Sequence, residues 1–93
     1  MAWRLRWFKG DGDADAAGWP VGGIWRSGAS LLLITPVGLA DIARWEQIGP
    51  DEKLTTRPSI LCQGEGVYHG YVTDGVLTDD CEGRLFPDHP ATA

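Results

Sequence analysis

The sequence contains no Asn, a single Met, two Lys, two His and two Cys, and its longest aliphatic run, Leu31 to Ile34, is four residues long. Such a run falls far short of the roughly 20 residues that cross a bilayer as a helix. The opening Met1-Ala2-Trp3-Arg4-Leu5-Arg6-Trp7-Phe8 lacks the uninterrupted apolar stretch of a signal peptide. A location in the cytoplasm, or in an assembly built there, is therefore expected, with no membrane partner. Cys62 and Cys81 are too few for a secreted disulfide scaffold, so reduced thiols are expected. Eight basic residues are scattered among 13 acidic ones, giving a net charge of −5, which argues against binding the phosphate backbone of nucleic acid. Nor is there a phosphate-cradling loop, because Gly64-Glu65-Gly66 has neither a third Gly nor a following helix and Lys.

What is present is small, aromatic and heavily punctuated. Residues 1–93 are enough for one domain, and 13 Gly with 6 Pro interrupt the chain too often for a helical bundle. The expected fold is mainly β: a small, single-domain antiparallel sandwich or roll with at most one short helix. Trp3, Trp7, Trp19, Trp25 and Trp45 are expected to supply much of the bulk of its core.

Local patterning places the elements. Trp3, Leu5 and Trp7 alternate with Arg4 and Arg6, the period of a half-buried strand. Residues 10–18, small and acidic, read as an exposed loop. Gly23 to Arg26 and Ala29 to Thr35 read as a hairpin about Ser27-Gly28. Its second strand is apolar on both faces and so is expected to lie centrally, covered on both sides. Residues 37–48 fit a short helix or a strand equally well. Gly49 to Glu52 reads as a turn, and Ser59 to Cys62 as a short strand. Val67 to Thr78 carries the strongest signal, because Asp74-Gly75 between β-branched residues is the pair a type I′ turn requires. Residues 88–93 read as a frayed tail.

Each candidate for chemistry has a structural counterpart. Asp11, Asp13 and Asp15 alternate as calcium-loop ligands do, but Ala16 and Gly22 stand where that loop needs its Gly and its bidentate Glu, so a solvated acidic loop is the better reading. Cys62, His69, Cys81 and His89 are zinc-type donors without the close pairing that organises a zinc site. Cys62 fits a packed core thiol better. A Cys–His dyad oriented by Asp74 has the right residue types. Asp79, Asp80 and Glu82 would collect a hard cation or, more simply, pair with Arg84. In a strand, His69 and Tyr71 share one face and Tyr68 the other, so His69 and Tyr71 beside Asp74 would suit a binding face or an ordinary sheet surface. The expected binding set is Tyr68, His69, Tyr71, Asp74 and Arg84, with no catalytic residue and no cofactor. The metal-binding or hydrolytic alternative uses Cys62, His69 and Cys81.

Trp45-x2-Ile48-Gly49-Pro50, Pro58-Ser59-Ile60, Tyr68-His69-Gly70 with Asp74-Gly75-Val76-Leu77, and Glu82-Gly83-Arg84 together resemble a family of small bacteriophage and prophage proteins of uncharacterised function. The resemblance covers roughly the C-terminal half. Some relatives have Cys-rich variants suggestive of metal binding; this chain departs from them, with one Cys before the His and one after the hairpin. The resemblance implies a phage-type virion or accessory protein, in the host cytoplasm or the virion, and no reaction. The expected function is non-enzymatic: self-association or binding to a larger protein assembly. Inhibition of a host protein through the acidic surface is a third reading.

Overall fold

A computed structural model describes residues 2–57, 59–63 and 66–79. Two four-stranded sheets face each other. The elements are β1 (Ala2–Arg4), β2 (Arg6–Trp7), α1 (Asp11–Ala16), β3 (Gly23–Ser27), β4 (Ser30–Thr35), β5 (Gly38–Asp41), β6 (Glu46–Ile48), a 3-10 turn (Asp51–Lys53), β7 (Thr55–Arg57), β8 (Ile60–Gln63), β9 (Val67–Thr73) and β10 (Val76–Asp79). One sheet runs β1-β10-β9-β8, the other β2-β3-β4-β5, and β6 and β7 form a separate ribbon. Among the described residues, every pairing apart from the parallel β2–β3 pair is antiparallel.

The alternating N-terminal segment is shared between the sheets. It pairs with β10 through Arg4 and with β3 from Arg6 onward, and it pivots at Leu5, whose amide donates to the Gly75 carbonyl. On the opposite side the sheets converge where the Cys62 thiol approaches the Leu39 carbonyl. Between them lies the main core: Ile24, Leu31, Leu33, Ile42, Leu54, Ile60, Cys62, Tyr68, Val72 and Leu77. Burying these side chains, eight of the ten aliphatic, between two sheets is the main stabilising term.

As expected, β4 is an interior strand with both faces covered. Leu31 and Leu33 face the main core, whereas Leu32 and Ile34 face a second cluster with Trp25, Phe8 and Ala14. Ala14 belongs to α1, which corrects the reading of residues 10–18 as a loop. Six residues are too few to display helical periodicity, and what stabilises this turn is tertiary. Asp11 Oδ1 accepts from the buried Trp25 indole at 2.6 Å, Asp15 Oδ1 accepts from Trp19 Nε1 at 3.1 Å, and Asp13 Oδ2 accepts from the Lys9 amide. The helix ends in a Schellman motif, with the Trp19 amide on the Ala14 carbonyl and the Gly18 amide on the Asp15 carbonyl. The three aspartates thus serve as indole and amide acceptors.

Residues 37–48 contain no helix; they form β5, a turn and β6. Asp41 Oδ1 accepts from the amides of Leu31 and Ala43, fixing an Asx-type turn where a helix would otherwise start. The β3–β4 hairpin turns at Gly28-Ala29, one residue later than the sequence suggests, since Ser27 pairs with Ser30. Of the five tryptophans only Trp25 is fully buried. Trp3, Trp7 and Trp45 pack at the core's margin and Trp19 is 44% exposed, so aliphatic residues carry the core.

The β9–β10 turn is as expected: Val76 pairs with Thr73, and Asp74 and Gly75 have φ of 50° and 79°. Its environment is not that of a free tip. The Gly75 amide donates to the Leu54 carbonyl, and a Cβ at Gly75 would run into the Glu52 carbonyl. Glycine is therefore required there for its backbone conformation and for space.

Candidate functional site

The pleat divides the β8–β9 hairpin into two faces. Cys62 pairs with Tyr68 and Leu61 with His69; directly paired residues share a face. Ile60, Cys62, Tyr68 and Val72 point into the core, and Leu61, His69 and Tyr71 point outward. Tyr68 therefore leaves the expected binding set. It is 4% exposed, its ring lies over Gly70, and its hydroxyl donates to the Thr78 carbonyl on β10.

On the outer face, Ser59 Oγ and His69 Nε2 are 2.7 Å apart, and the His69 and Tyr71 rings lie 6.2 Å centroid to centroid at 41°. Ser59 is itself anchored, since its carbonyl accepts from Trp45 Nε1 at 3.2 Å. Leu61 is 53% exposed and Tyr71 39% exposed. Beside Tyr71 an open cleft is lined by Glu46, Arg57, Ser59 and Tyr71. Glu46 and Arg57 are directly opposite in the β6–β7 ladder, yet no ion pair joins them. The face thus presents an aliphatic residue, an aromatic pair, and one charge of each sign.

The other expected residues do not meet there. Asp74 sits at the turn, where its amide donates to Thr55 Oγ1 at 3.0 Å. Five residues of extended chain put it about 16 Å along the strand from His69, too far to orient the imidazole. Cys62 is buried on the inner face while His69 faces outward, so the sheet separates thiol from imidazole. That placement opposes both the Cys62–His69 dyad and the metal alternative, since the two donors cannot reach a common ion across the sheet. Among the described residues no group of three or more His, Cys, Asp or Glu gathers in metal-binding proximity. Asp80, Cys81, Glu82, Arg84, His89 and the side chain of Asp79 lie outside the described residues, as does the expected tail at 88–93.

Leu61, Arg57 and Glu46 were not singled out from the sequence. Leu61 has a local signal: in Ile60-Leu61-Cys62 the middle residue must face away from its neighbours, and an aliphatic residue there marks an apolar outer face. Arg57 and Glu46 have none, because their proximity to Tyr71 comes from β7 packing against β9.

Ionisation is perturbed elsewhere. Asp51 is held below the usual carboxylate range by its two hydrogen bonds from Arg26, at 2.9 and 3.0 Å, and the Arg26 guanidinium is correspondingly raised. Arg26 also lies 4.7 Å over the Trp7 ring, whose indole donates to the Asp51 carbonyl, so this group ties the 3-10 turn to β2 and β3. Asp41 is lowered first by the Ser30 hydroxyl, then by the amides of Ala43 and Leu31. Both groups serve turns. A second apolar surface, on the other sheet, is formed by Trp19, Val21, Val37 and Leu39. No helix among the described residues is long and apolar enough to cross a membrane. Comparison with protein-family models, with curated proteins and with solved structures found no match to this chain.

Proposed function

We propose that this chain is a non-enzymatic association module, a phage-type structural or accessory protein that works by binding another protein surface through the outer face of β8 and β9. The observation carrying this reading is the exposure of Leu61 and Tyr71 on either side of His69, on a sheet whose opposite face is packed into the core. Tyr is enriched among the residues that dominate binding energy at interfaces, and covering the exposed aliphatic surface of Leu61 adds favourable apolar burial. The phage-type assignment rests on the motif resemblance.

The test is photo-crosslinking within the native cell, with a benzophenone side chain at position 71 and a control at exposed Glu52. Adducts to a polypeptide from position 71 and none from position 52 are expected. No adduct from position 71, or equal labelling from both, refutes the reading. One observation favours a hydrolytic role instead: the 2.7 Å Ser59–His69 contact has the spacing of a nucleophile and its base. Stoichiometric labelling of Ser59 by a fluorophosphonate, lost in His69→Ala, would establish that role in place of association.

A further inference from the structure

Resting on the association reading, we infer that the occupant of this face is a second copy of the same chain, docked about a two-fold axis. The surface carries both halves of a contact. Leu61, the most exposed large apolar side chain among those described, stands on the same face as the cleft beside Tyr71. Its cross-strand partner His69 lies between them, two residues from Tyr71. In an isologous interface residue i meets j and j meets i, so a surface fits itself only if it holds a projection and a recess side by side. Here Leu61 of each copy enters the other's cleft.

The charges obey the same rule. Glu46 and Arg57 line the cleft and are not ion-paired to each other. Two copies related by a two-fold axis set Arg57 of one against Glu46 of the other, twice. This matters for a chain of net charge −5, because two copies repel over most of their surfaces and approach best where charge is absent or reciprocally balanced. The centre of the face, Leu61, His69 and Tyr71 with Thr73 and Gln63, includes no carboxylate.

Sedimentation velocity of the purified full chain over a concentration series tests this. A species of twice 10.1 kDa is expected to grow with concentration. Leu61→Lys, at an exposed position, should weaken association at least about tenfold with an unchanged circular dichroism spectrum. Glu46→Arg and Arg57→Glu should each weaken it similarly, by setting like charges against each other at both contacts. An equimolar mixture of these two variants should recover the wild-type constant, because the mixed dimer restores both opposite-charge contacts. Recovery in the mixture is a result that mere misfolding cannot give. A wild-type chain that stays at 10.1 kDa at every concentration overturns the inference, as does a dimer indifferent to all three substitutions. The native-cell crosslink separates the two ideas: an adduct to a different polypeptide from position 71 sinks the two-fold dimer and leaves the association reading standing.

Discussion

Gly70 is the position where the packing leaves least freedom. A Cβ there would overlap the Thr78 carbonyl on β10 as well as the Tyr68 hydroxyl that bonds to it, and Tyr68 Cζ would lie at 2.5 Å. Overpacking that side-chain rotation can relieve costs about 1–3 kcal/mol. Here one obstacle is backbone, so Gly70→Ala must displace β9 from β10, and we expect a loss of at least about 3 kcal/mol. For a urea m-value of about 1–2 kcal/mol/M that is a midpoint shift of about 1.5–3 M, read by tryptophan fluorescence. Tyr68→Phe keeps the ring and removes the hydroxyl that donates to the Thr78 carbonyl; the loss of that bond should cost about 0.5–1.5 kcal/mol, or roughly 4–8 °C in Tm per kcal/mol. Because the Thr78 carbonyl stays in place, Tyr68→Phe should not rescue Gly70→Ala: the double variant should stay within about 1 kcal/mol of Gly70→Ala alone. A Gly70→Ala protein within about 1 kcal/mol of wild type, or a double variant as stable as Tyr68→Phe, would refute the reasoning.

Three further outcomes are expected. Asp11→Ala leaves the indole of fully buried Trp25 without its 2.6 Å acceptor and should cost about 1–3 kcal/mol, with faster hydrogen exchange in α1 before the rest of the fold. Thr56, 2% exposed, has a hydroxyl with no hydrogen-bond partner, so Thr56→Val should be neutral or stabilising by up to about 1 kcal/mol; a clear drop in Tm would contradict the packing described. Asp41 and Asp51 are both depressed in the folded state, by the Ser30 hydroxyl and by Arg26 respectively. Their contribution is therefore full above the unfolded carboxylate value of about 3.9 and is lost as pH falls through the folded values. Acid melts should show Asp51→Asn flattening part of that slope, by no more than about 1 kcal/mol because both partners of the pair are half-exposed, and 1 M salt should reduce the effect.

The sequence by itself determined what depends on neighbours within a few residues. Asp74-Gly75 specified its turn because only certain residues tolerate two successive positive φ values, and the two-sided apolar run from Leu31 to Ile34 specified an interior strand because water must be excluded from both its faces. That His69 and Tyr71 share one face and Tyr68 takes the other followed from the two-residue pleat alone, whereas the burial of Tyr68 came from the packing of its face into the core. Tertiary structure decided the rest. Asp11, Asp13 and Asp15 look like a solvated loop until Trp25 and Trp19 are brought against them, since a six-residue helix has no local stability of its own. The cleft beside Tyr71 exists only because the β6–β7 ribbon folds back onto β9, carrying Glu46 and Arg57 to a hairpin that lies beyond them in the chain. Long-range contacts of that kind leave no periodicity in the sequence, which is why the scaffold could be read from it and the make-up of the exposed face could not.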